Sequence, residues 1–296
     1  MSKISLPRPC KWPCSPFTFK ILAETANGPE RSNINNTDIQ IQVTFYGVES
    51  VRNTPPLAKV PPAAFSGLSS LTSLSLTDSG VWSLPTESPF CPLTGLASLN
   101  LSGNSLTDVS ALGFAATNEL GACALPLADL DLSRNSIERL DRESFGRLSK
   151  LERLDLSGNA ISAVETSALD SLPALKTLRL SSNGLRALPP HLFRESKDLR
   201  ELHLQNNSLA ALPADLFSGL RHLVVLNVSR NALADNSLSG ETFGALLRLV
   251  ALDMSGNGLT GLPAGLLSPL TSLQLLDLSG NQLHEVGGAE AVRGEG

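Results

Sequence analysis

The sequence predicts an α/β solenoid: a horseshoe coil of short repeats, with a parallel sheet on its concave face and a mostly irregular or short-helical convex face. Three observations carry this. The first is the stretch Leu151–Ile161, which reads L-x-x-L-x-L-x-x-N-x-L with Ile161 in the last place. Leu154 and Leu156 alternate with Arg153 and Asp155, so a short strand turns its leucines inward and its polar residues outward. Asn159 falls where the strand must turn a corner, and its amide can both donate to and accept from backbone groups that would otherwise be buried unpaired. The second observation is recurrence. The leading leucine returns as Leu71, Leu96, Leu127, Leu151, Leu175, Leu199, Leu223, Leu249 and Leu273. The corner is Ser79 in the first copy, then Asn104, Asn135, Asn159, Asn183, Asn207, Asn231, Asn257 and Asn281. The third is a column six residues before each leading leucine: Phe65, Phe90, Phe145, Leu169, Phe193, Phe217, Phe243 and Leu267. Phe114 joins it if about seven residues are inserted after it.

This is the spacing of a leucine-rich repeat. One copy cannot bury its own apolar face, so copies must stack. The phenylalanines are expected to form a structural spine behind the leucines. Leu-Pro pairs beginning at Leu84, Leu188, Leu212 and Leu262 favour extended or turn backbone, so the outer face should hold few long helices. Parallel strands lie about 4.8 Å apart, so nine of them make a concave sheet roughly 38 Å long. That length suits a protein partner and exceeds what a metabolite needs.

Taken in order, residues 1–38 lack the repeat and read as a cap-like, partly disordered segment. Pro7, Pro9, Pro13 and Pro16 rule out a regular helix there. Residues 39–286 form the repeat domain, beginning with a degenerate strand whose inward positions are Ile41, Val43 and Val48, with Tyr46 at the corner. Residues 287–296 read as a disordered tail. No second cap covers Leu273, Leu276 and Leu278, which predicts that the chain is a piece of something longer. The rhythm breaks at the insertion within 114–127 and again in the longer repeat around Gly240, for which only loop is expected.

The net charge of −5 implies no polyanion-binding surface, so nucleic acid is not an expected partner. No run approaches the roughly 18 apolar residues of a membrane span, so this segment is not expected to contact a membrane. Residues 1–20 lack the apolar core of a secretory signal. Cys10 and Cys14 make a poor zinc pair, since no second pair follows at finger-like spacing. Cys91 and Cys123 fall on the outer face of neighbouring repeats, so they either form a disulfide that ties down the insertion or remain two free thiols.

No nucleophile elbow, phosphate loop or metal-binding pair is present, and His191, His203, His222 and His284 lie in different repeats. The sequence therefore predicts no enzyme activity, no cofactor and no metal site. The concave face is the better candidate. Its outward position runs Ser75, Asn100, Asp131, Asp155, Arg179, His203, Asn227, Asp253, Asp277. Within it Asp131, Asp155, Arg179 and His203 are the expected protein-contact patch, with Arg179 and His203 offering donors to an acidic group. The plainer reading of the aspartates is a solvated repeat face. Sequons place candidate glycans at Asn35, Asn100, Asn206 and Asn227.

Several segments are more particular than the repeat. Val81-Trp82-Ser83-Leu84-Pro85 leads to Phe90-Cys91, then Asp108–Phe114, the insertion and Cys123 before Leu127. Gln205-Asn206-Asn207-Ser208-Leu209, Arg248-Leu249-Val250 and Leu273-Gln274-Leu275-Leu276 follow in step. This order resembles the N-terminal part of the ectodomain of arthropod Toll receptors, of the long Tollo or 18-wheeler type. The resemblance covers roughly Val48–Leu283.

It implies a cell-surface receptor in innate-immune or developmental signalling, lying on the extracellular side of the plasma membrane as part of a longer chain. It also implies a protein ligand, such as a Spätzle-like cystine-knot cytokine or another cell-surface protein, and a possible receptor dimer. Glycans on Asn100 and Asn227 would then restrict the concave sheet and direct contacts to the flanks or the insertion. The chain departs from the family in showing no signal peptide, membrane helix or TIR domain, and only Cys10 and Cys14 of a four-cysteine cap. The alternatives are a secreted or adhesive leucine-rich-repeat protein and an intracellular leucine-rich-repeat scaffold.

Overall fold

The computed structural model describes residues 64–284, apart from 85–87, 115–116, 119–120, 123–124 and 143, together with 22–25, 39–42 and 58–60. Most of the expected cap, the expected tail, Cys10, Cys14, Asn35 and Cys123 lie outside the described residues.

The strands in chain order begin with β1 (Leu22–Thr25), β2 (Ile39–Gln42), β3 (Ala58–Lys59), β4 (Ser73–Ser75), β5 (Val81–Ser83) and β6 (Ser98–Asn100). Next come β7 (Thr117–Asn118), β8 (Gly121–Ala122), β9 (Asp129–Asp131), β10 (Arg139–Leu140), β11 (Arg153–Asp155) and β12 (Ala163–Val164). The series closes with β13 (Thr177–Arg179), β14 (Glu201–His203), β15 (Val225–Asn227), β16 (Ala251–Asp253) and β17 (Leu275–Asp277). Eleven of them make one sheet in the order β1-β2-β4-β6-β9-β11-β13-β14-β15-β16-β17. Among the described strands of this sheet, only the β1–β2 pair is antiparallel. From β2 onward each strand lies parallel beside the next repeat's strand, which defines a solenoid.

The register follows the leucines. Leu74 stands opposite Leu99, Leu99 opposite Leu130, and so on to Leu252 opposite Leu276. Ile41 stands opposite Leu74, so the degenerate first strand keeps the register of the repeats. A one-residue slip would turn each of these leucines out to water, and the period-2 pattern excludes it. Behind the sheet, Phe65, Phe90, Phe114, Phe145, Leu169, Phe193, Phe217 and Phe243 are all buried. Phe65 stacks on Phe90 with ring centroids 5.9 Å apart, and Phe217 meets Phe243 at 6.0 Å. Each such side chain contributes about 1.5–3 kcal/mol through burial.

The outer layer is built from turns. Among the described residues its only helical turns are two short 3-10 segments, Ser110–Leu112 and Asp235–Ser237. The second sits in the longer repeat before Gly240. The insertion after Phe114 carries the antiparallel pair β7–β8.

The corner asparagines stitch neighbouring repeats together. In Asn183, Nδ2 donates to the carbonyls of Leu180 in its own repeat and Leu156 in the preceding one. Its Oδ1 accepts the N–H of Ile161. The same three-way bonding recurs at Asn104, Asn135, Asn159, Asn207, Asn231, Asn257 and Asn281. The residue before each corner turns left-handed, with φ between 50° at Asp78 and 68° at Gly103. Glycine fills that position at 103, 158, 256 and 280; elsewhere Asp78, Arg134, Ser182, Asn206 and Arg230 accept the strain.

Candidate functional site

Because side chains alternate on a strand, each repeat shows two residues to the concave side. The second of these makes the expected column. Asn100 pairs across to Asp131, Asp131 to Asp155, Asp155 to Arg179, Arg179 to His203 and His203 to Asn227. The structure thus brings Asp131, Asp155, Arg179 and His203 together on four consecutive strands. The first position makes a parallel column: Ser98, Asp129, Arg153, Thr177, Glu201, Val225, Ala251 and Leu275. The sequence reading passed over this column, although the same alternation that located the first column places it two residues earlier.

Most acidic residues of the expected column have a structural task. The carboxylate of Asp155 accepts the N–H of Ser157 at 2.9 Å and its hydroxyl at 2.5 Å. Asp131, Asp253 and Asp277 accept the N–H of Ser133, Ser255 and Ser279 in the same way. Asn100 and Asn227 do so with Ser102 and Ser229. The pattern Asp/Asn-x-Ser is therefore a strand-end turn in which a side-chain acceptor satisfies a backbone donor. It also explains two of the sequons, which are this turn with asparagine in place of aspartate. Ser102 and Ser229 are buried within it. Asn206, by contrast, is exposed.

Arg179 and His203 break that pattern. The Arg179 guanidinium lies 3.6 Å from Asp155 and is half exposed. His203 is partly buried, and its Nε2 makes no hydrogen bond; the nearest carboxylate, Glu201, stands 3.7 Å away. Burial, and then the charge of Arg179, hold the imidazole below its ordinary pKa, with Glu201 opposing in part. Both effects favour the neutral imidazole over the charged one. Two residues on, Gln205 replaces the usual serine, and its Oε1 is also buried without a hydrogen bond.

Arg179 stands 3.6 Å from Asp155, and the His203 imidazole is held below its ordinary pKa. From β9 to β17 the two columns hold six carboxylates, Asp129, Asp131, Asp155, Glu201, Asp253 and Asp277, against the guanidiniums of Arg153 and Arg179. Arg153 is further tied to Asp129 by a two-pronged ion pair. An open groove of about 460 Å³ lies over Asp129, Asp131, Arg153, Asp155, Arg179 and Glu201. A second, of about 500 Å³, lies over His203, Val225, Asn227, Ala251, Asp253, Leu275 and Asp277. The first column is polar over β9–β14 and apolar over β15–β17, while the second column carries carboxylates in both stretches, Asp131 and Asp155 in one and Asp253 and Asp277 in the other.

Elsewhere, Cys91 is disulfide-bonded and packs against the core. Among the described residues no group of three His, Cys, Asp or Glu side chains converges on a metal position. None of the helices there is long and apolar enough to cross a membrane.

The leucine-rich-repeat family profile matches residues 126–185, 173–233 and 236–283, together more than half of the sequence. The chain belongs to the leucine-rich-repeat family. No curated protein matches it by sequence. Among solved structures it is similar to TLR13 in a complex with ssRNA13, at 33% identity and a TM-score of 0.67, over 76% of this chain and 31% of that one. It is similar to a chain of the glycosylated Drosophila Toll–Spatzle complex at 25% identity and a TM-score of 0.64, over 76% of this chain and 29% of that one. A chain of the octameric complex of Latrophilin 3, Unc5D and FLRT2, whose leucine-rich-repeat component is FLRT2, matches at 27% identity and a TM-score of 0.57, over 73% and 70%. The chain thus spans about a third of the length of the two Toll-type proteins.

Proposed function

We propose that this chain is a protein-binding part of the ectodomain of a Toll-type cell-surface receptor, resembling the long Tollo or 18-wheeler type and serving innate-immune or developmental signalling. The observation that carries the reading is the 33% identity to TLR13 across 76% of the chain, together with the similarity to Toll. The bonded Cys91 supports an oxidising, extracellular setting, because such bonds are rare in reducing compartments. A concave sheet of nine repeat strands supports a protein ligand by its size, and the family resemblance suggests a Spätzle-like cystine-knot cytokine.

The test is to secrete the chain behind a heterologous signal peptide and measure its binding to a panel of Spätzle-type cytokines by interferometry. Sub-micromolar binding to one member is the expected result. Misfolding on secretion but full folding in a reducing cytosol would overturn the receptor reading. A second reading is favoured by the FLRT2 complex, since that match covers 70% of the other chain against about 30% for the Toll-type proteins. In that reading the chain is an adhesive repeat protein that assembles with other surface proteins. Binding to cell-surface ectodomains and to no cytokine would select it.

A further inference from the structure

Along the concave face from β9 to β17 the first column changes from polar to apolar, while the second column carries carboxylates at both ends. Over β9–β14 the face presents Asp129, Asp131, Asp155 and Glu201, with both guanidiniums leaning on carboxylates of the face itself. Among the described residues neither Asp131 nor Glu201 has a Lys or Arg within ion-pair distance; His203 stands 3.7 Å from Glu201. Over β15–β17 the first column becomes Val225, Ala251 and Leu275, beside Asn227, Asp253 and Asp277 in the second, and Leu275 is 66% exposed. At the join, His203 Nε2 and Gln205 Oε1 are buried polar atoms with no hydrogen-bond partner, a costly arrangement unless something else supplies one.

We infer that this face takes an extended, basic polypeptide segment of its protein ligand, with Lys or Arg side chains over the carboxylates of β9–β14 and apolar side chains over Val225, Ala251 and Leu275. The inference rests on the protein-binding reading above and adds the chemistry of the ligand. Charge complementarity selects the partner: uncompensated carboxylates attract ammonium or guanidinium groups and repel phosphates, so an RNA strand is disfavoured here. Length follows from the spacing. Seven strands about 4.8 Å apart span about 29 Å, and an extended chain rising about 3.3 Å per residue covers that with about nine residues. Gln205 Oε1 is an acceptor, so a backbone N–H or a cationic side chain passing the join can satisfy it.

The experiment uses the full chain and four fluorescein-labelled probes, read by anisotropy. The first is a ten-residue peptide with a lysine-rich half followed by a leucine-rich half. The others are the same composition with Lys and Leu alternated, a version with Glu for Lys, and a ten-nucleotide oligouridine. The expected order is block peptide tightest, the alternated peptide at least fivefold weaker, and the Glu peptide and the RNA unbound. Raising NaCl from 50 to 500 mM weakens the block peptide about tenfold or more. Glu201→Lys weakens it at least tenfold, Glu201→Gln about threefold and Leu275→Glu at least fivefold. Each variant is first confirmed to melt with the unchanged protein, since both positions are on the surface. Tighter binding of the RNA or the Glu peptide overturns the inference, as does indifference of the block peptide to Glu201→Lys. If the inference fails while a cytokine still binds, the receptor reading stands and only this assignment is lost.

Discussion

Asn183 shows how much one residue carries in this fold. It bonds four backbone groups on two repeats: the carbonyls of Leu156, Leu180 and Ser181 and the N–H of Ile161. Asn183→Ala removes these bonds and should destabilise the protein by about 2–4 kcal/mol, measured by urea unfolding. An unchanged midpoint would show that the corner carries no energy. His203 is a different case, because its cost depends on pH. Its folded pKa lies below the ordinary 6.5, so above 6.5 both folded and unfolded states are neutral and nothing is lost. As pH falls below 6.5 the unfolded chain takes up a proton that the folded one resists, and stability drops until the folded pKa is passed. His203→Asn should therefore narrow the difference in melting temperature between pH 7.5 and pH 5.5. An equal fall in both proteins would remove His203 as the cause.

At the scale of elements, the insertion after Phe114 is the one place where the outer layer departs far from the repeat. It leaves the core beside the previous repeat: a Cβ added to Gly113 would meet Ser88 Cβ at 2.9 Å, three residues before Cys91. The β7–β8 pair ends at Ala122, and Cys123 follows it in the sequence. We propose that Cys123 is the partner of the bonded Cys91. Peptide mapping of the secreted, unreduced protein should recover the two cysteines in one linked pair. Recovery of Cys91 joined to Cys10 or Cys14 would reject the assignment. Replacing both Cys91 and Cys123 by Ser should cost about 2–4 kcal/mol, as expected for closing a loop of this size.

Across the whole molecule, the candidate glycans sort by where the coil puts them. Asn100 and Asn227 are engaged in strand-end turns on the concave face, whereas Asn206 is exposed beside a corner. Mass spectrometry of secreted protein should find Asn206 the more fully occupied. Full occupancy of Asn100 and Asn227 would instead block the groove and send the ligand to the flanks. The solenoid was legible in the sequence because it is made of local, repeated rules: a period of two for the strand, an asparagine at the corner and a phenylalanine behind. The positions of Asp131, Asp155, Arg179 and His203 in one column followed from the same rules, since each repeat adds one strand in register. Their energetic roles did not follow. Which aspartates are spent on a serine N–H, whether Arg179 leans on Asp155, and whether His203 is buried enough to stay neutral depend on distances between repeats. The second column, Asp129 to Leu275, acquires meaning only when strands 24 or more residues apart lie side by side. The sequence by itself determined the coil, because leucine periodicity is a local property. Only the tertiary structure decided the sign of the face and the polar-to-apolar change along its first column, because charge and burial are properties of neighbours in space.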